Sequence, residues 1–203
     1  MSAEQTVSGK TGALILAAGF SNRFGSIKLN ASLANGKSVF QTTLQNIRQV
    51  IPDPLIITRD ELLPVINDGT CNIRVFEDAE MGMGATLAFG IAQILDDVAC
   101  DWDTCLICLA DMPFIKPETY AHIAQKVNKA NIVVPRHNGK NGNPIGFGRK
   151  FYESLTHLRG DQGGRSVILD NSDAVTYLDT TDPAIFFDID TPQDLTLFDA
   201  QSH

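Results

Sequence analysis

The sequence predicts an α/β protein, a three-layer α/β/α sandwich around a mostly parallel central sheet. Three observations carry that expectation. Apolar runs of strand length alternate with segments of helical periodicity almost to the end of the 203-residue chain, the order that covers a sheet with helices. Several runs are continuously apolar rather than alternating, as strands buried on both faces are. No repeat, low-complexity tract or Pro/Ser-rich linker divides the chain. Residues 13–203 are therefore expected to form one domain, with the polar residues 1–12 as a flexible tail.

The first strand is expected at 13–17, an Ala-Leu-Ile-Leu-Ala run, followed by a polar loop and a helix over 38–50. Strands at 55–58 and 72–76 precede the clearest helix, 83–95, where Met83, Leu87, Ile91, Ile94 and Leu95 recur on one face. A strand at 104–109 leads into a helix at 117–129. Strands at 132–135 and 144–147 are followed by helices at 149–158 and 164–170, a strand candidate at 175–178 and a strand at 185–188. Thr191-Pro192-Gln193-Asp194 then reads as the start of a helix over 192–200, with Thr as cap, Pro in first position and an acid in third.

A content of 43% hydrophobic and 20% charged residues is that of a soluble globular domain. No apolar run approaches the ~20 residues needed to cross a bilayer, and residues 1–12 lack the basic-then-apolar order of a signal peptide. A cytoplasmic protein with no membrane partner is expected. Cys105 and Cys108 form a C-x-x-C, but inside a strand, where side chains three apart face opposite ways. With Cys71 and Cys100 they are read as small hydrophobes in a reducing compartment rather than as a metal pair.

Charge is unevenly distributed. Between Gln5 and Pro52 there is no Asp or Glu, only Lys10, Arg23, Lys28, Lys37 and Arg48, in a chain whose formal net charge is −8. A basic segment on an acidic protein suits a small anion better than a nucleic acid. Its centre is the loop after the first strand, where Arg23 and Lys28 stand beside backbone amides freed by Gly19 and Gly25, the chemistry that holds a polyphosphate. Two known loops are excluded by spacing. A Walker A loop places Gly-Lys-Ser/Thr after a four-residue gap, whereas five residues separate Gly19 from Gly25 and Lys28 follows three later. Gly19-Phe20-Ser21 also breaks the G-x-G of a dinucleotide fingerprint.

The pattern that remains, L-A-A-G-x-S-x-R-x-G-x-x-K from Leu16 to Lys28, resembles the signature of nucleotidyltransferases with a glycosyltransferase-A-like fold, especially the molybdopterin cytidylyl/guanylyltransferase group. The resemblance implies a Rossmann-like nucleotidyltransferase fold in which Leu16, Ala17, Ala18, Gly19, Ser21, Arg23, Gly25 and Lys28 bind the nucleotide. Arg23 and Lys28 would act catalytically, holding the departing pyrophosphate. Gly82 and Thr86, in Gly82-Met83-Gly84-Ala85-Thr86-Leu87, resemble a second nucleotide-binding element of the family. Met81 and Met83 are read as core or pocket wall.

Ala110-Asp111-Met112-Pro113-Phe114 follows the strand at 104–109, where ligands of open α/β sheets collect. It is similar to the family's metal-binding segment, so Asp111 is expected to be catalytic and to ligate Mg²⁺. Asp188-Ile189-Asp190-Thr191-Pro192-Gln193-Asp194 matches a D-I-D-T-P-x-D element, whose second aspartate, Asp190, is placed on the same metal. Asp188 shares its face if the strand persists, and only one of the two need coordinate. Asp194 is read as a helix cap. Few, hard oxygen ligands suit Mg²⁺.

Two further elements resemble the acceptor side. Asn143 and Pro144 lie in a G-x-P-like segment; many relatives carry His where Asn143 stands, and an amide exchanges no proton near neutral pH. Asp161, Gly163 and Arg165 lie in a G-D-x-G-x-R-like turn that opens a helix. His122, His137 and His157 are isolated and receive no role.

The resemblance implies transfer of a nucleotide from an NTP to a phosphorylated acceptor such as molybdopterin, with release of pyrophosphate and a molybdenum hydroxylase as a possible partner. Leu-Ala-Ala-Gly, rather than the Leu-Ala-Gly-Gly of guanylyl relatives, favours CTP over GTP. Two other readings stay open: a non-catalytic accessory protein that delivers a cofactor, and transfer to a sugar phosphate. An ATP-hydrolysing switch is disfavoured by the absent Walker spacing.

Overall fold

A computed structural model describes residues 10–21, 24–67 and 69–199. Its core is one sheet in the order β3-β2-β1-β4-β7-β5-β6, with β8 on the far side of β5. These strands are β1 (Thr11–Leu16), β2 (Leu55–Thr58), β3 (Asn72–Val75), β4 (Thr104–Leu109), β5 (Ile132–His137), β6 (Lys140–Asn141), β7 (Ile145–Gly148) and β8 (Val175–Asp179). β1 pairs in parallel with both β2 and β4, Leu14 lying beside Leu55 on one side and Ile107 on the other. β7 runs antiparallel to both β4 and β5. The reversal follows from chain length: β6 and β7 come after β5 through short connections, which cannot make a parallel crossover.

Alternation along β1 builds the two outer layers. Ala13 and Ile15 face a cluster with Phe40, Leu44 and Ile47 of α1 (Val39–Arg48) and Tyr120 and Ile123 of α4 (Pro117–Lys126). Leu14 and Leu16 face Leu87, Ile91 and Ile94 of α3 (Met83–Asp96) and Tyr152 and Leu155 of α5 (Tyr152–Thr156). Cys105 and Cys108 belong to opposite clusters, as their spacing predicts, and burial pushes both thiols up. None of the four cysteines is in a disulfide.

Two expectations change. β1 begins at Thr11, inside the segment expected as tail, and Trp102 covers Gly12 so closely that no side chain would fit there. Residues 185–188 are not a strand. Asp182 accepts a hydrogen bond from the Ala184 N–H and also binds the Lys116 N–H and the Thr119 hydroxyl. With Pro183 after it, the chain turns into a 3₁₀ helix over Pro183–Phe186. The strand candidate at 175–178 is real and pairs in parallel with β5. A four-residue helix, Leu63–Ile66, was not expected; α6 (Arg165–Asp170) and α7 (Pro192–Asp199) were. No helix among the described residues is long and apolar enough to cross a membrane.

Candidate active site

A cavity of about 420 Å³ opens at the carboxyl ends of β1 and β4. Leu16 to Ser21 form one side of it, continuing the chain out of β1. The Ala17 N–H donates to the Ile57 carbonyl at 2.8 Å, so the loop stays tied to β2 as it leaves the sheet. Among the described residues nothing occupies the space that a side chain at Gly19 would fill. Ser21 sits at φ +53, a left-handed conformation that costs a non-glycine residue roughly 1 kcal/mol and recurs at ligand clamps. Arg23 lies outside the described residues. Phe20, exposed at the rim, lies under the Arg59 guanidinium at 4.6 Å.

The floor is acidic. Asp111, two residues past the end of β4, Asp188 and Asp190 bring carboxylate oxygens within 4.8 Å of one another. A backbone tie explains the convergence: the Ile189 N–H donates to the Asp111 carbonyl at 2.9 Å, which sets the aspartates flanking Ile189 beside Asp111. Asp194 secures the other end, its Oδ2 accepting from the N–H groups of Asp190 (3.0 Å) and Thr191 (2.7 Å). This is the capping expected of Asp194. Partial withdrawal from water and the neighbouring Asp111 charge raise the Asp188 carboxyl above its ordinary value.

Lys28 reaches this floor from the far end of the loop. Its Nζ pairs with Asp111 Oδ2 at 2.6 Å and donates to Asp190 Oδ1 at 3.1 Å. Burial works against the ammonium, but the two carboxylates outweigh it and hold its pKa above the ordinary lysine value. The family resemblance implies that Lys28 holds the departing phosphates; in the structure its ammonium faces the acids.

Three carboxylates and no sulfur or imidazole donor suit a hard divalent cation. Asp111 Oδ1 supports the fit, being buried with no hydrogen-bond partner among the described residues, an arrangement that is costly for a carboxylate unless a cation compensates.

Another part of the lining comes from Gly82, Met83 and Thr86 at the start of α3, with Asp161 beside them. The Thr86 hydroxyl is directed at the Gly82 carbonyl (3.2 Å), so it braces the turn rather than donating into the cavity. The cavity thus gathers Leu16, Ala17, Ala18, Gly19, Ser21, Lys28, Gly82, Thr86, Asp111, Asp161 and Asp190. Gly25, Asn143, Pro144, Gly163 and Arg165 are not among its lining residues. Asn143 is instead tied through its N–H to the Ile185 carbonyl, and Arg165 is exposed at the start of the six-residue α6. Sequence reasoning underweighted Asp188 and missed Phe20; the D-x-D spacing was the available signal for the first.

Residues 13–175 match the model of a family described as the MobA-like NTP transferase domain. A probable molybdenum cofactor guanylyltransferase from Geobacillus sp. (strain WCH70) is 28% identical over 191 residues, covering 91% of this chain and 96% of that protein. The molybdenum cofactor guanylyltransferase of Vibrio cholerae is 26% identical over 198 residues, covering 92% and 90%. The crystal structure of Rv0371c from Mycobacterium tuberculosis superposes with a TM-score of 0.80 at 25% identity, covering 94% and 97%. That protein has also been solved in complex with manganese.

Proposed function

The chain belongs to the MobA-like NTP transferase domain family, a family of molybdopterin-related nucleotidyltransferases, and from that premise we propose that it moves a nucleoside monophosphate from an NTP to the phosphate of a molybdopterin acceptor. An acceptor phosphate oxygen attacks the α-phosphorus, a P–O–P linkage forms, and the bond to pyrophosphate breaks. The observation that carries this reading is the meeting of a phosphate-type loop with three carboxylates around one lysine in a single cavity. No protein nucleophile is required, because positioning and charge stabilisation suffice for such a transfer.

Asp111, Asp188 and Asp190 would hold a divalent metal ion, with Mg²⁺ the physiological choice; the manganese complex of the mycobacterial relative supports a hard cation. When bound, the cation neutralises charge on the nucleotide phosphates. Lys28 keeps the carboxylates in place from the loop side and presents an ammonium to the phosphate end of the cavity. The Leu16–Ser21 segment orients the nucleotide. Arg23 is assigned to the leaving pyrophosphate. Asn143, Pro144, Gly163 and Arg165 are assigned to the acceptor on the sequence resemblance alone.

For the base, the Ala18 methyl on the cavity wall favours CTP by narrowing the space open to a purine. The guanylyltransferase names of two relatives favour GTP. Pyrophosphate release from CTP and GTP, measured in parallel with molybdopterin and Mg²⁺, tests both. Release from either donor that disappears in Asp111→Ala supports a nucleotidyltransferase, and the faster donor identifies the base. Nucleotide binding without pyrophosphate release would instead mark a non-catalytic delivery protein.

A further inference from the structure

Asp161 is out of place in a cavity meant for a polyphosphate. It lines that cavity yet does not join the aspartate cluster of the floor. Among the described residues its carboxylate has no hydrogen-bond or ionic partner. The side chain is exposed, so water solvates it until a ligand arrives; because a carboxylate repels phosphate and offers only acceptors, the neutral ligand groups it favours are N–H or O–H donors.

The chain goes to some length to place this group. The Gly84 N–H donates to the Gly160 carbonyl at 2.6 Å, locking the turn before Asp161 onto the first turn of α3. A Cβ on Gly84 would lie 2.8 Å from the carbonyl oxygens of Arg159 and Gly160. A Cβ on Gly82 would come within 2.7 Å of Gly160 and strike Asp161 Oδ1 itself. Gly82 also holds φ at +97, where a side chain is strained. Only bare backbone on α3 allows Asp161 to approach so closely.

We infer that Asp161 is a specificity-determining residue that accepts the paired N–H donors of a 2-amino-4-oxo heterocycle, and that Gly82 and Gly84 are the positioning residues that present it. A carboxylate matches the ring N–H and adjacent amino group of such a ring with two parallel hydrogen bonds. Resting on the proposed reaction, the inference admits two sources of this donor pair, guanine of the nucleotide and the pterin of the acceptor. Cytosine presents a single amino donor, with the acceptors N3 and O2 following it along the same edge, and cannot supply the pair.

Binding to wild type, Asp161→Asn, Gly84→Ala and the double variant separates the sources. The probes are GTP, ITP (which lacks the amino group) and CTP, each with Mg²⁺, together with pterin and its 2-oxo analogue lumazine. Charged hydrogen bonds of this kind predict a loss on the order of 10- to 100-fold in Asp161→Asn. That loss falls on GTP if guanine is the source and on pterin if the acceptor is. CTP should move little, and ITP and lumazine, which keep the ring N–H but lack the amino donor, should lose less than GTP and pterin. Gly84→Ala should show part of the same loss and add nothing in the double variant, which a general structural defect would not reproduce. Unchanged GTP and pterin affinity in Asp161→Asn overturns the inference, as does equal loss for ITP and lumazine. A wild type that binds no nucleotide refutes the nucleotidyltransferase reading instead, and the pterin arm still decides Asp161.

Discussion

One wall of the cavity is built by charged side chains, and another rests on glycines that let two backbone segments meet. On the acidic floor, Asp111, Asp188 and Asp190 crowd together around Lys28, and chain segments distant in sequence are joined by the Ile189 to Asp111 hydrogen bond. On the glycine wall, Gly82 and Gly84 meet Gly160 with no intervening side chain. The first wall stores electrostatic conflict that a cation relieves. The second stores none and works by closeness. The two should therefore fail in different ways.

The largest effect is expected for Asp111→Ala, which removes a charge whose neighbours cannot replace it. Pyrophosphate release should fall by on the order of 10³-fold or more, with an unchanged circular dichroism spectrum. Lys28→Met comes next, at about 10²-fold. It should also lower thermal stability, because the aspartates lose the cation that pairs with two of them, and added Mg²⁺ should recover part of the lost melting temperature. Gly84→Ala should cost about 10-fold or more in kcat/KM through a displacement of a few tenths of an ångström, and Mg²⁺ should not restore it. A Gly84→Ala defect rescued by Mg²⁺, or a Lys28→Met defect indifferent to it, would erase the distinction between the walls.

Asp194→Ala should have the smallest effect. It removes the cap that holds the Asp190 and Thr191 N–H groups, worth about 1 kcal/mol and roughly 2–4 °C of melting temperature in a chain of this size. Turnover should fall only as far as Asp190 drifts. A turnover loss as deep as that of Asp111→Ala would mean that Asp194 acts on the phosphates directly.

The two walls also differ in how legible they were in the sequence. Asp111 could be found because it follows a buried apolar strand and precedes Met112-Pro113, a stop signal with a local physical cause. The helix start at Thr191-Pro192 and the capping role of Asp194 were likewise local. Ile185-Phe186-Phe187 misled, since an apolar triplet looks like a strand when the Asp182 bonds to Lys116 and Thr119 cannot be seen. Lys28 belonged to the right cavity, but its partners were not predictable, because they lie on β4's exit and beside the last helix. The glycine wall was least legible. Gly160 could be read as a loop residue, and its φ of +66 suits glycine there; the close approach depends on Gly82 and Gly84, whose missing side chains leave room for its backbone, and no local pattern records such a contact.

The proposed transfer depends most directly on a metal-dependent nucleotide site at the acidic floor. Calorimetric titration of GTP and of CTP into wild type and Asp111→Ala, each with and without Mg²⁺, tests it. The expected result is that at least one nucleotide binds wild type far more tightly with Mg²⁺ than without, and that this dependence disappears in the variant. Equal affinity with and without Mg²⁺, or a metal dependence that survives the loss of Asp111, would contradict the assignment of the floor.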